Sequence, residues 1–189
     1  ATNGPIWRVA AAGGEPVAAT KLDPVHEATH RFPFFLPDGP QFIFFVRSGE
    51  RDVIGTYVAS LDNSEAKKRI AGTGFSAVYS LPNGDETGQL LWMNQDGSVV
   101  SQQFDSRRAT ASGTLRLVPG VQLTRGGYDS HTPLSASGDG TLVYGRTERR
   151  SRTPCTAPRR WTRWGARRRT GAGRRSPGGR DSPLRGGRG

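Results

Sequence analysis

The sequence predicts an all-β fold followed by an unstructured basic tail, and three observations carry that prediction. Short runs rich in Val, Ile, Phe and Tyr recur from Ile6 to Tyr144, bounded by Gly, Pro, Asn and Asp. This is the pattern of strands joined by tight turns. Stretches of this body superpose on one another at offsets near 45 residues. Past Gly145 the text changes abruptly to Arg, Gly and Pro. Helical periodicity is nearly absent; EAKKRIAG (Glu65 to Gly72) comes nearest and is too short.

The offsets define a repeat. A shift of 50 lays IWRVAAAGGEP (Ile6 to Pro16) on TYVASLDNSEA (Thr56 to Ala66), so that Trp7 meets Tyr57 and Glu15 meets Glu65. A shift of 43 lays YVASLD (Tyr57 to Asp62) on VSQQFD (Val100 to Asp105). A shift of 45 lays LPDG (Leu36 to Gly39) on LPNG (Leu81 to Gly84), and a third copy, SASG (Ser135 to Gly138), precedes TLVYG. Such a period matches a four-stranded propeller blade. One blade reads RFPFFL, QFIFFV, GTYVASL and a fourth strand over about Ala66 to Ala71; the next reads FSAVYSL, QLLWM, SVVSQQF and TLRLV. Asp96-Gly97 closes the middle hairpin of the second blade, because Asp-Gly tolerates positive φ. The dense apolar run QFIFFV suits a strand buried on both faces. The prediction is a partial β-propeller over residues 1–145, with about two complete four-stranded blades plus flanking half-blades.

The pattern P-x-F-L-P-D-G-x-x-F-x-F, then G-x-Y-V-x-S-L-D and E-A-K, resembles the WD-like blades of TolB-type propellers. More closely, it is similar to the propeller region found C-terminal to the kinase domain in bacterial membrane-spanning serine/threonine kinases of acidobacterial type. The resemblance covers Ile6 to Tyr144 and is repeat-level, so it speaks to fold more than function. It implies a non-catalytic sensor module, periplasmic or extracytoplasmic in the parent protein, with protein or small-ligand contacts at the mouth of the complete propeller. No glycine-rich loop with a paired Lys, no His-Arg-Asp and no Asp-Phe-Gly is present, so any kinase would lie outside this chain. The competing class is the propeller domain of a prolyl-oligopeptidase-like hydrolase, which a hydrolase motif in flanking sequence would decide. Two whole blades leave apolar faces and sheet edges uncovered, so the chain is expected to be a fragment of a larger propeller and to self-associate in isolation.

Motifs that look like chemistry are outweighed by their context. His26 to His30 spell His-Glu-x-x-His, which on a helix would offer two imidazoles to zinc with Glu27 as general base. Pro24 and Pro33 leave little room for a helix, and a third ligand would have to come from His131 or a distant acid. The segment is expected to be an inter-blade loop. GTGFSA (Gly72 to Ala77) matches a dinucleotide fingerprint on paper, but AVYSL, a strand pattern, follows where a helix is needed. Around Ser76 the second glycine of a nucleophile elbow is replaced by Val78. Asp38, Asp62, Asp85, Glu86, Asp96, Asp105 and Asp139 fall at turns, where acids ordinarily cap backbone N–H groups. No catalytic, cofactor-binding or metal-binding residue is therefore assigned, and no cofactor is expected.

The charge of +11 is a property of the tail. Residues 146–189 hold fifteen Arg against Glu148 and Asp181, while residues 1–145, with twelve bases and fourteen acids, are slightly acidic. Leu184 is the only aliphatic residue beyond a few Ala in the tail, which is expected to be disordered. Its Arg clusters with Trp161 and Trp164 suit RNA, the alternative function, and RRWTRW suits an anionic membrane surface. Its composition is also that of GC-rich coding DNA read out of frame, the favoured reading, since the switch falls inside a blade. Cys155, the one cysteine, lies there too, so the body has neither disulfide nor thiolate metal site. No apolar run approaches the ~20 residues of a membrane-spanning helix, and the N-terminus shows no signal-peptide pattern.

Overall fold

The computed structural model describes residues 3–37, 39–81, 87–124 and 130–145. All of them lie in the first of the two units into which the chain divides, Ala1–Arg149. The Arg-rich tail, Asp38, Asp85 and Glu86 fall outside the described residues.

Twelve strands and no helix make up the described residues, so none of their segments is a helix long and apolar enough to cross a membrane. In chain order, β1 (Trp7–Arg8) and β2 (Val17–Ala18) form an antiparallel pair. Next, β3 (Thr29–Phe35), β4 (Gln41–Arg47), β5 (Gly55–Ser60) and β6 (Asn63–Ala71) form a four-stranded antiparallel sheet with strands in sequence order. Then β7 (Val78–Ser80), β8 (Gly88–Met93), β9 (Ser98–Asp105) and β10 (Thr110–Gln122) repeat that arrangement. A final pair, β11 (Leu134–Ala136) and β12 (Leu142–Tyr144), closes the described chain. The offset of about 45 residues therefore equates one sheet with the next.

Several boundaries differ from the sequence expectation. The first strand starts at Thr29 and not at Arg31, which places His30 inside β3. The segment EAKKRIAG, nearest to helical, lies almost entirely in β6, which begins at Asn63. FSAVYSL contracts to the three residues of β7, and TLRLV extends to the thirteen of β10. β10 is long because it is an outer strand interrupted by two register shifts, between Ser112 and Arg116 and between Leu117 and Gln122.

The sheets stack face to face because their central strands are apolar on both sides. Along β4, Phe42, Ile43, Phe44, Phe45 and Val46 are all 2 % exposed or less. Alternation sends Phe42, Phe44 and Val46 to one face, where they meet Ala19, Tyr57 and Ala59 beneath the β1–β2 pair. Ile43 points the other way, into a cluster with Leu90, Trp92, Val100 and Phe104 of the second sheet. The far face of that second sheet presents Leu91, Met93 and Val99, covered by Leu134 of β11 together with Leu142 and Tyr144 of β12. The order of layers is thus half-sheet, sheet, sheet, half-sheet.

Two local features tune this stack. Gly97 closes the β8–β9 turn at φ +86°, as its Asp-Gly context predicts. Phe32 stands at φ +56° inside β3, at the bulge where the register with β4 slips between Arg31 and Phe34. A bulky residue in that region ahead of a proline costs on the order of 1–3 kcal/mol, so the surrounding packing must hold it there.

Truncating Phe44 to Ala removes a side chain wedged between two layers and is expected to destabilise the chain by about 3–5 kcal/mol. Gly88→Ala is expected to be destabilising too, because a Cβ there would overlap the ring of Tyr79 in the shared core. Urea denaturation of the full chain measures both, and midpoints matching the parent would contradict the two-sided packing.

Candidate functional site

The His-Glu-x-x-His segment folds into a polar clasp with no helix. A turn over residues 24–26 precedes β3, and the two histidines part company. His26 is half exposed and its Nδ1 contacts Glu50 at 2.9 Å. The His30 imidazole is fully enclosed. Its Nδ1 lies 2.8 Å from the Thr20 hydroxyl, its Nε2 lies 3.0 Å from Glu27 Oε2, and its ring packs on Phe44. Glu27 also accepts from Lys67 Nζ of β6 at 2.7 Å and from the Asp23 backbone N–H at 2.8 Å. Thr20 in turn accepts from the Ile6 backbone N–H at 2.9 Å.

The simplest proton arrangement has the Thr20 hydroxyl donating to Nδ1 and a neutral His30 donating from Nε2 to the Glu27 carboxylate. The electrostatics agree. Burial holds the His30 imidazole below its ordinary range, only partly opposed by the Glu27 carboxylate. For Glu27, burial pushes the carboxyl up, but the hydrogen bonds from the Asp23 N–H, Lys67 and His30 outweigh it, and the net direction is down. Both ring nitrogens of His30 and the Glu27 carboxylate are thus committed to protein partners. Among the described residues no group of three or more His, Cys, Asp or Glu could hold a metal.

A second polar cluster joins the second sheet to the segment before β11. The Ser76 N–H donates to the Ser130 carbonyl at 2.7 Å, and Thr132 returns its N–H to Ser76 Oγ at 3.0 Å and its hydroxyl to the Ser76 carbonyl at 2.6 Å. The Met93 N–H donates to Thr132 Oγ1 at 3.2 Å. His131 Nδ1 stands 3.4 Å from Ser76 Oγ, longer than the roughly 2.6–3.2 Å of an activated nucleophile. Ser76 is buried, and among the described residues no carboxylate orients His131. On its other side, His131 meets the ring of Phe32 with centroids 4.8 Å apart. A residue of the first four-stranded sheet therefore touches the segment that leads into β11, past the second sheet.

The remaining sequence candidates resolve as turn chemistry. GTGFSA is the connection from β6 to β7, and a strand follows it. Asp96 accepts from the Ser98 N–H and hydroxyl, Asp105 from the N–H groups of Arg107 and Arg108, and Asp139 from the Thr141 N–H. Asp62 occupies the turn between β5 and β6.

An apolar groove of about 700 Å³, which no sequence motif marks, opens between the β1–β2 pair and the first sheet. Ile6, Trp7, Val9, Val17, Phe35 and Phe42 line it. Trp7 and Phe35 are about 60 % exposed there, far more than aromatic side chains in a finished core. Compared with family models, with characterised proteins and with solved structures, the chain finds no significant match in any of the three.

The buried His30–Glu27 pair makes stability depend on pH with a definite sign. His30 titrates below 6.5 in the folded chain, so on acidification through 6.5 the unfolded chain takes up its proton first and stability falls. Glu27, depressed from 4.5, adds stability that is present above 4.5 and lost as pH drops further, through its folded value. His26, held above its ordinary range by Glu50, acts in the opposite sense, so from about pH 7 to about pH 5 the urea midpoint of the parent is expected to fall relative to that of His30→Asn, whose neutral-pH midpoint is lower. A slope unchanged by the substitution would remove His30 from the account.

Proposed function

We propose that residues 1–145 are part of a β-propeller of TolB-like type and act as a non-catalytic module for binding a protein or small ligand, of the kind that serves as the sensor region of a bacterial serine/threonine kinase. The observation that carries this reading is the contact of Phe32 with His131. Sheets packed face to face stand about 10 Å apart, so layers separated by one intervening sheet should lie about 20 Å apart. Ring centroids 4.8 Å apart bring the segment leading into β11 against β3, which supports layers that converge on the side of their first strands. Convergence on one side, with four strands per layer in sequence order, is the geometry of blades around an axis.

The chemistry of the polar residues supports a binding role over a catalytic one. His30, Glu27 and Lys67 neutralise and satisfy one another, and Ser76 is enclosed by backbone and Thr132. What faces the convergent side is a tilted Phe32–His131 pair, a surface able to stack on a planar or aromatic group of a ligand.

The full chain is expected to hydrolyse neither a generic ester nor casein above the buffer rate, with or without added zinc. Turnover that disappears in Ser76→Ala or Glu27→Gln would overturn the non-catalytic reading.

A further inference from the structure

We propose that the β1–β2 pair is latched onto the first four-stranded sheet through Thr20 and His30, and that proton uptake by His30 opens the latch, lifting the pair and baring Phe42 and Phe44. The latch is built from contacts within this chain and stands with or without the propeller reading above.

The pair has little apolar hold on the sheet. Its strands are two residues each, and Trp7, Val9 and Val17 are exposed. To the shared cluster the layer contributes Ala19 and the partly buried Ile6, whereas Phe42, Phe44, Val46 and Tyr57 belong to the sheet. The two four-stranded sheets, by contrast, share a cluster built from Ile43, Leu90, Trp92 and Phe104. Polar contacts therefore carry much of the attachment. The His30 N–H donates to the Gly4 carbonyl at 2.9 Å, and the Lys21 N–H to the Ser64 carbonyl at 3.0 Å. Arg8 donates to the Leu61 carbonyl at 2.9 Å and Lys67 Nζ to the Lys21 carbonyl at 2.7 Å, both in contact with water. The Thr20–His30 bond, at 2.8 Å, is buried: Thr20 is 1 % exposed and the imidazole is fully enclosed.

A proton on His30 breaks that bond. In the closed state the Thr20 hydroxyl donates to Nδ1, while its oxygen accepts from the Ile6 N–H. Protonated Nδ1 is itself a donor, so the hydroxyl must turn away and, shut off from water, loses its acceptor. Nε2 offers no outlet, because it already donates to Glu27. The charges fail to balance as well. Glu27 already pairs with Lys67 at 2.7 Å, so a charged imidazole sets two cations against one buried carboxylate.

The ionisable groups around the ring leave that imbalance standing. Asp23 and Glu27 stand on the segment before β3, Lys21 just ahead of them, Tyr57 on β5, and Glu65 and Lys67 on β6; β4 turns Phe44 toward the ring. Glu65 is engaged by Lys21 and Asp23 by the Val25 N–H, and Glu27 is the carboxylate in contact with the imidazole. His26 bonds to Glu50 and Ser48, between β4 and β5, and so does not hold the pair.

The sign follows. Burial keeps the closed imidazole neutral below its ordinary range, and lifting the pair returns it to water. The open form binds the extra proton, so acid favours opening. An imidazole that stays neutral when closed and regains about 6.5 when open multiplies the open population by up to about 25 between pH 7 and pH 5.

Hydrogen exchange followed by nuclear magnetic resonance on the full chain, corrected for the intrinsic effect of pH, reads the latch at four amides. Those of Ile6, Ala19, Lys21 and His30 are bonded within the pair or across the latch. They are expected to exchange about 10- to 25-fold faster at pH 5 than at pH 7, and at pH 5 about tenfold or more ahead of the core amides of β4 and β8. In His30→Asn the same four rates are expected to be nearly independent of pH. Rates in the parent that ignore acid, an acceleration that persists in His30→Asn, or four amides no faster than β4 and β8 would each overturn the proposal. The first and third outcomes are read on the parent chain, so the test holds even where the variant does not fold.

Discussion

Everything in this structure depends on β4 being buried on both faces. Five consecutive side chains, Phe42 to Val46, are sealed from water, with Phe42, Phe44 and Val46 toward the β1–β2 pair and Ile43 toward the second sheet. Full burial of such a side chain contributes roughly 1.5–3 kcal/mol, so leaving one face of this strand to solvent would forfeit a large part of the stability of a small domain. A two-layer sandwich satisfies one face of each sheet. Here each central strand demands a layer on both sides, and that demand is passed from sheet to sheet. Among the described residues the outermost layers are the two-stranded pairs β1–β2 and β11–β12.

Stacking alone does not fix how the layers are angled, and the polar groups supply that constraint. Thr20 and Ile6 belong to the first layer, His30 and Lys67 to opposite edges of the second, and Glu27 to the turn between them. A buried network of this sort stabilises only when every member is paired, and losing one partner leaves the others stranded. The same logic runs through Ser76, Thr132 and Met93 at the next junction. Residues that in another setting would suggest hydrolysis or metal binding here hold one sheet at a set angle to its neighbour. The strained Phe32 fits this picture, since its ring packs against that of His131, in the segment leading into β11.

How much of this was legible in the sequence depends on whether the cause was local. Alternation along QFIFFV and the Asp-Gly turn at Asp96-Gly97 are local, and the structure realises both. The offsets of 43 to 50 residues align strand with strand because each four-stranded unit repeats the same turns. The start of β3 was missed because Thr29 and His30 look like loop residues until Thr20 and Glu27, distant or turned aside in sequence, complete them. The fourth strand expected over about Ala66 to Ala71 is found as β6, longer by three residues at its start; it is an outer strand whose charged side chains face water or, for Lys67, reach back to Glu27. The groove left no trace in the sequence, because its lining comes from segments far apart along the chain, Ile6 to Val17 and Phe35 to Phe42.

The treatment of the sheet edges separates edges meant for solvent from edges meant for a partner. Exposed edges invite pairing, and proteins blunt them with charge, proline and bulges. The outer strands here are blunted in these ways. β6 carries Lys67, Lys68 and Arg69, and β10 carries Arg116, Pro119 and two breaks in register. β12 has none of these devices: Leu142, Val143 and Tyr144 are uncharged, regular and partly exposed. β1 bears a single charge, and Arg8 turns it away to the Leu61 carbonyl at 2.9 Å. Trp7 and Val9 remain in the open. Protection is thus applied to β6 and β10, the last strands of the two four-stranded sheets, and not to β12 or β1.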